Sequence, residues 1–211
     1  MNKGLVIYDL NGVVTDLDKL KYDCWSWLAD KISFPFSEKY FHKIMDLDNK
    51  TALERILKWC GQRISEAQKQ QLLSEWHKRY LGSLDELTED DIAIGFINYN
   101  NKLKAEGMKV AVATPSKHAI RIIDRLGLVL AFDAIADGNM YTDEPNFSVL
   151  LNQVIERFQA DSKDCTFISS DKQGIEQAQN LGMNVVSFGK DSNPVQGVAA
   201  ASNWDSLVLR D

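Results

Sequence analysis

The sequence predicts an α/β fold in which a parallel-sheet core is interrupted by an inserted all-helical domain. Short apolar runs alternate with segments of helical periodicity over most of the chain, and one long stretch near the N-terminus has helical periodicity alone. Runs that are apolar throughout are typical of strands buried on both faces, as in parallel sheets. Alternation of such strands with helices predicts a sheet built from βαβ units.

Four apolar runs are the predicted strands, and each ends at a polar residue or a glycine. They are Leu5–Tyr8, Lys109–Ala113, Cys165–Ile168 and Asn184–Phe188. The predicted helices of the core are Ile94–Glu106, Lys117–Leu126, Phe147–Phe158 and Gly174–Leu181. Gly107, Gly127 and Gly182 follow three of these segments, and glycine is favoured there because it adopts the left-handed backbone conformation.

The domain organisation follows from the break in this alternation. Residues 1–16 and 89–211 form the predicted core, and residues 17–88 form the predicted helical insertion. The insertion contains no convincing strand and holds four of the five tryptophans, namely Trp25, Trp27, Trp59 and Trp76. Aromatic residues at helical spacing usually face a core, so we interpret these four as the core of the insertion. A length of 211 residues suits a core with one such insertion.

Composition and charge exclude several classes of protein. The chain is 45% hydrophobic and 26% charged, with a net charge of −6 and no long basic run, so it lacks the features of a nucleic-acid-binding protein. The acidic excess is compatible with a cation site, although a solvated surface is the commoner cause. Cys24, Cys60 and Cys165 are widely spaced, which predicts reduced thiols. The N-terminal apolar run is too short for a signal sequence or a membrane span, so we expect a cytoplasmic protein.

Polar residues follow three of the predicted strands. Asp9 follows the first strand, Thr114 and Ser116 follow the second, and the segment Ser169–Asp171 ends a later one. In an open parallel sheet, ligands bind beyond the carboxyl ends of the strands. Although strands generally end in polar turns, three such ends together predict a ligand site at this edge.

The segment Asp9–Asp16 reads DLNGVVTD and closely resembles the first motif, D-x-D-G-V-[IV]-x-D, of the haloacid-dehalogenase-like (HAD) phosphotransferases. Lys109–Lys117 resembles their second motif, and the resemblance extends over essentially the whole chain. It is strongest to the β-phosphoglucomutase-like subgroup, which carries a helical cap. The resemblance implies a Rossmann-like HAD core with residues 17–88 as the cap domain. It also implies a phosphatase or mutase that acts on a small phosphorylated metabolite, with Mg²⁺ as cofactor and an aspartyl-phosphate intermediate.

The resemblance also implies roles for individual residues of the core. Asp9 corresponds to the nucleophile and first metal ligand, and Thr114 corresponds to the hydroxyl that binds phosphate. Ser116 and Lys117 correspond to positions that line the site, and Gly12 permits the tight turn of the first motif. A further set of metal ligands would comprise the Asn11 carbonyl, Ser170 and Asp171.

Positions in the cap depart from the pattern of the subgroup. A histidine that follows the first motif is replaced by Lys21. An arginine that grips the substrate's second phosphate is replaced by Asn49, with Lys50 adjacent. These three residues are therefore the predicted substrate contacts of the cap.

The core motifs depart more seriously. Asn11 stands at the acid/base position, where an amide cannot donate and recover the proton, a function worth about 10²–10⁴-fold in rate. Ser169 and Ser170 replace both acids of the fourth motif, and Asp171 lies one position out of register. A magnesium site in this chain is therefore weakened or absent.

The lysine of the third motif is also missing, because no lysine occurs between Lys117 and Lys163. Thr142 or Pro145 takes its place, depending on the alignment. The neighbouring Asp143 and Glu144 would repel a phosphate, or alternatively would form a new metal site. Lys172 is a further candidate for replacing the lost lysine.

Together these departures predict a catalytically impaired member of the family, which binds a phosphorylated ligand or a protein partner. Asp9 would then stabilise its loop, and Ser116 would cap the following helix. The alternative is an active Mg²⁺-dependent phosphatase or phosphohexomutase with a rebuilt site, in which Asp171, or Asp143 with Glu144, supports the metal. A weaker third hypothesis is a hydrolase or lyase that attacks carbon or phosphonate.

Overall fold

The computed structural model describes residues 4–45, 47–140, 146–189 and 198–207. The chain divides into two compact units. Met1–Asp16 together with Leu87–Asp211 forms the core unit, and Leu17–Glu86 forms the helical unit.

A parallel six-stranded sheet forms the centre of the core unit. Its strands β1 to β6, in chain order, are Leu5–Tyr8, Lys109–Ala113, Ala134–Ala136, Cys165–Ser169, Asn184–Phe188 and Ala199–Ala201. Their order across the sheet is β3-β2-β1-β4-β5-β6. Tyr8, the last residue of β1, pairs with Val112 of β2 and with Ile168 of β4. These three strands therefore end at the same level, and the predicted parallel α/β class is confirmed.

Helices of the core unit cover both faces of this sheet. Helices α1 to α4 belong to the helical unit and α5 to α8 to the core unit; in chain order the eight are Asp18–Lys31, Glu38–Phe41, Asn49–Trp59, Glu66–Asp85, Phe96–Ala105, Ala119–Arg125, Phe147–Phe158 and Lys172–Asn180. Alternate residues of a strand face opposite sides. Ile7 on one face belongs to a buried cluster with residues of α7 and α8. Tyr8 on the other face packs edge-on against Phe96 of α5 and Trp204, with ring centroids 5.3 and 5.7 Å away.

Strands β3 and β6 were not among the predicted strands. Each has three residues, and alanine dominates both. Alanine has low strand propensity, so pairing with neighbouring strands rather than local sequence determines these two elements. Helix α8 also begins at Lys172, two residues before the predicted start at Gly174.

The chain leaves and re-enters the core unit at neighbouring points. Thr15 and Ile92 form an isolated antiparallel bridge, and the Ala93 amide donates to the Val14 carbonyl at 2.8 Å. The Thr15 hydroxyl is buried and donates to the Asp91 carbonyl at 2.8 Å. Two hydrogen bonds, one of them part of the bridge, therefore tie the outgoing segment to the returning one.

The helical unit has an aromatic core, although it includes fewer tryptophans than the sequence predicts. Trp25 and Trp76 are buried, with ring centroids 5.0 Å apart, and Trp76 stacks on Tyr80. Trp27 and Trp59 are only half-buried. Trp27 is covered by the cations of α1 and α4 rather than by apolar side chains, since the Lys31 ammonium lies 4.5 Å from its ring centroid. Assigning all four tryptophans to the core was therefore wrong.

No helix in the described parts of the chain has both the length and the apolar character needed to cross a membrane. Cys24, Cys60 and Cys165 are free thiols, and the first and third of them are buried.

Candidate functional site

Asp9 lies at the carboxyl end of β1, and its side chain is held on both oxygens. The residue is 4% exposed, and its amide donates to the Ile168 carbonyl of β4 at 2.9 Å. Oδ1 accepts a hydrogen bond from the Leu10 amide at 2.7 Å. Oδ2 accepts one from the Ser169 hydroxyl at 2.9 Å. The site therefore contains a buried carboxylate whose orientation is fixed by donors from β4 and from its own loop.

Burial raises the pKa of the Asp9 carboxyl from 3.8 to about 7. Hydrogen bonds from Ser169, the Leu10 amide and Thr114 partly oppose the rise because they stabilise the charged form. The negative charge of Asp171 adds to it. A substantial fraction of Asp9 is therefore protonated at neutral pH, which makes it a poorer nucleophile and metal ligand than an ionised carboxylate.

At the end of β4, Ser169 and Ser170 stand where the fourth motif of the resembled family has acids. The hydroxyls of both serines already have hydrogen-bond partners. Ser169 is fully buried, and its hydroxyl donates to Asp9 while accepting from the Asp171 amide at 2.9 Å. Ser170 is exposed, and its hydroxyl donates to the Asn11 carbonyl at 3.3 Å. Asp171 is the N-cap of α8 and accepts from the Gly174 amide at 2.7 Å. The capping role explains why this acid lies out of register with the family motif.

The loop that follows β1 approaches Ser170 closely. Gly12 has a φ of +76°, and its amide donates to the Thr15 carbonyl at 2.7 Å. A Cβ at this position would lie 2.2 Å from the Ser170 hydroxyl oxygen. Glycine is therefore required here by both the backbone conformation and the available space.

Substitution of Gly12 by alanine is expected to lower the free energy of unfolding by about 2 kcal/mol, because the left-handed backbone and the clash add together. Urea denaturation measures the change. Ser170→Gly removes the clashing atoms, so Gly12→Ala in that background should be milder by roughly 1 kcal/mol. An equal loss in both backgrounds would contradict the close approach.

The end of β2 contributes Thr114, which is 3% exposed and lies near enough to Asp9 to lower the pKa of its carboxyl. Ser116 is half-buried, and its hydroxyl accepts from the His118 amide at 3.2 Å. It does not occupy the N-cap position of α6, which belongs to His118, so its predicted capping role was wrong. Lys117 is exposed. The structure thus places Thr114 near Asp9 but leaves Lys117 at the surface.

Asp137 is a site candidate that sequence reasoning missed. It follows β3 directly, is buried at 4% exposure, and accepts hydrogen bonds from the Asn139 amide and side chain at 2.9 and 3.2 Å. The Asn139 side chain also donates to the Lys117 carbonyl at 2.7 Å, which joins the loops after β2 and β3. The sequence signal for Asp137 is its position directly after the apolar segment Ala134–Ala136. That segment was not predicted as a strand, so its terminal carboxylate was not identified as a candidate.

Several predicted residues lie elsewhere. Thr142, Asp143, Glu144 and Pro145 lie outside the described residues. Lys172 is exposed on α8, with its ammonium 3.9 Å from Glu176.

The predicted cap residues belong to the helical unit. The Lys21 ammonium lies 3.9 Å from Asp18 on α1. Asn49 and Lys50 begin α3 and are exposed, and the Lys50 amide donates to the N-cap Asp48 at 3.0 Å. Their predicted roles in substrate binding stay predictions.

The described donor set offers Mg²⁺ fewer carboxylates than the resemblance implies. This ion prefers oxygen ligands that include at least one or two carboxylates. Among the described residues, no three His, Cys, Asp or Glu side chains gather as a metal-binding group. Asp9 is held by donors on both oxygens, Asp171 caps α8, and the Asn11 carbonyl already accepts from Ser170.

The fold and the strand-end carboxylate define a family. The sequence model of the haloacid dehalogenase-like hydrolases matches residues 6–188, and the chain belongs to this family. Beta-phosphoglucomutase of Bacillus subtilis is 28% identical over 188 residues, which are 88% of this chain and 83% of the relative. A phosphorylated carbohydrates phosphatase of Thermotoga maritima is 24% identical over 182 residues, covering 84% and 81% of the two chains.

Solved structures share the fold. The crystal structure of beta-phosphoglucomutase from Clostridium difficile has a TM-score of 0.79 and 24% identity, covering 99% of this chain and 94% of that one. CbbY from Rhodobacter sphaeroides, solved in complex with phosphate, has a TM-score of 0.74 and 13% identity, covering 98% and 96%.

Proposed function

We propose that this chain binds a small phosphorylated metabolite of the sugar-phosphate class at the carboxyl edge of its sheet, and that its phosphoryl-transfer activity is impaired. The observation that carries the proposal is the engagement of Asp9 by the Ser169 hydroxyl and the Leu10 amide. The names of the relatives, a phosphoglucomutase and a phosphatase of phosphorylated carbohydrates, support the ligand class.

Hydroxyl and amide donors supply the affinity for an anion in this proposal. Thr114 and Ser170 present hydroxyls near Asp9, and Lys117 carries a cation at the end of the adjacent loop. Donors of this kind bind phosphoryl oxygens without a metal. Partial protonation of Asp9 reduces its repulsion of a phosphate, because a neutral carboxyl carries no net charge.

Two features oppose catalysis in this proposal. An attacking carboxylate must be ionised, whereas the raised pKa of Asp9 favours its protonated form. Asn11 cannot protonate a leaving oxygen, and loss of such an acid lowers rates by about 10²–10⁴-fold. Binding therefore survives in a site that lacks most of its reactivity.

An active enzyme with a rebuilt magnesium site is the second candidate. The observation in its favour is the electrostatic influence of Asp171 on Asp9, which places a second carboxylate in the vicinity. The N-cap role of Asp171 weighs against it. A protein partner that recognises the site or the helical unit is a further proposal. The three free thiols support a cytoplasmic location.

A panel of sugar phosphates tests the proposal. We expect calorimetry or NMR titration to detect binding that persists in EDTA. Thr114→Val keeps the shape and removes the hydroxyl, so it should weaken binding by roughly tenfold. Turnover with Mg²⁺ should not exceed that of Asp9→Asn.

Impaired phosphoryl transfer and binding of a phosphorylated ligand can be contradicted separately. Turnover well above that of Asp9→Asn would contradict impairment and support the rebuilt site. Absence of binding by every phosphate ester would contradict the ligand class.

A further inference from the structure

A surface of the core unit beside α5 exposes large aliphatic side chains. Ile94 is 95% exposed and Leu130 is 89% exposed, and Ile97 and Val129 are also exposed. The 3₁₀ turn Val129–Ala131 lies against α5, because the Lys104 ammonium donates to the Leu130 carbonyl at 3.0 Å. We define the α5 surface as Glu89, Ile94, Ile97, Lys104, Val129 and Leu130.

Apolar exposure of this extent marks a contact surface. Single exposed aliphatic residues are ordinary, but adjoining ones rimmed by charge are typical of protein interfaces. The aliphatic residues of the α5 surface come from two elements that the hydrogen bond of Lys104 holds together. The surface therefore has a fixed arrangement before any partner binds.

The α5 surface also carries a cleft next to its most exposed side chain. The cleft has a volume of about 310 Å³ and is lined by Glu89, Ile97, Asn98 and residues 92–95. Ile94 belongs to its rim and is almost fully exposed. A protruding aliphatic residue and a cleft able to receive one thus lie side by side.

Charge on the α5 surface is likewise of both signs. Glu89 lines the cleft near the beginning of α5, and its carboxylate lies close to Gly127. Lys104 lies near the other end of α5. At a rise of 1.5 Å per residue, its position is about 12 Å along the helix axis from Phe96. A two-fold axis perpendicular to α5 brings the beginning of the helix in one copy to the end of the helix in the other, and opposite charges then meet twice.

We propose that the α5 surface is a two-fold interface with a second copy of this chain. In a two-fold interface the same patch meets itself, so it must contain both members of every contact. The α5 surface meets this requirement with Ile94 and its neighbouring cleft, and with Glu89 and Lys104. A different protein would need only one member of each pair.

Sedimentation velocity of the full chain over a wide concentration range tests the interface. We expect a reversible dimer whose dissociation constant rises at least tenfold in Ile94→Asp. Val149→Asp is the matched control, because Val149 is also an exposed aliphatic residue but lies on α7, which packs on the opposite face of the sheet. It should leave dimerisation unchanged, and thermal unfolding should confirm that both variants fold.

Charge reversal tests the two-fold geometry independently. Glu89→Lys and Lys104→Glu should each weaken the dimer, because each brings like charges together, and the double variant should regain most of the loss. A chain that is monomeric at every concentration would overturn the proposal. A dimer that Ile94→Asp leaves intact, or a double variant weaker than both single variants, would overturn it as well.

Discussion

Replacing Asp9 with asparagine is expected to stabilise the fold by an amount that grows as the pH rises. The folded-state pKa of Asp9 is raised to about 7, above the usual value of 3.8. When folding raises the pKa of an acid, the folded chain holds the proton more tightly than the unfolded chain. The resulting contribution to stability is complete below the unfolded pKa and is lost as the pH rises through the folded pKa. Between about pH 3 and about pH 8 the loss is about 4 kcal/mol. Asparagine does not titrate, so the variant avoids this loss.

Urea denaturation of both proteins at several pH values measures the effect. The stability difference should be small near pH 3, grow mainly between pH 4 and pH 7, and level off above that range. A difference that does not change with pH would show that folding leaves the pKa of Asp9 at its unfolded value, which would contradict the raised pKa.

Introducing two acids tests the proposed impairment of the site. Ser170→Asp places a carboxylate beside the Asn11 carbonyl, where the Ser170 hydroxyl now donates. Calorimetry should then detect tighter Mg²⁺ binding than in the parent chain, because carboxylate oxygens are preferred ligands of this ion. Ser170→Asn has nearly the same shape without the charge and should show no such binding.

Adding Asn11→Asp to Ser170→Asp supplies the missing acid. We expect turnover of a phosphate ester to rise about 10²–10⁴-fold over Ser170→Asp alone, the range typical of a general acid. Asn11→Ser in the same background removes the amide without adding an acid, so its rate should not rise. Equal rates in the two double variants would assign the impairment to another part of the site.

Strong local signals made the central strands predictable from sequence. β1 and β5 match their predicted bounds, because Val, Ile and Phe favour a strand buried on both faces. The short alanine-rich strands β3 and β6 carry no such signal and depend on neighbouring strands for their pairing. Missing β3 also concealed Asp137, since a strand-end carboxylate can be identified only once the strand is known.

The candidate site was predictable at the level of strand ends but not of individual hydrogen bonds. The parallel order of β2, β1 and β4 brings Thr114, Asp9 and Ser169 together, as the alternation of strands and helices implies. The use of Asp171 as an N-cap was open to prediction from its place before a helix. The engagement of Asp9 by Ser169 depends on side-chain rotamers that adjacent elements determine, which the sequence motif does not specify.

The bridge between Thr15 and Ile92 has a consequence for how this chain is assembled from parts. Because Val14 bonds to Ala93 and Thr15 bonds to Asp91 within the core unit, the two ends of the insertion are fixed next to each other. The entropic cost of holding the two ends of an inserted segment together grows only slowly with the number of residues in that segment. The sheet and the Asp9 loop therefore place little restriction on the length or internal structure of the insertion. The same junction would accept helical domains of quite different size, which makes the insertion an exchangeable module.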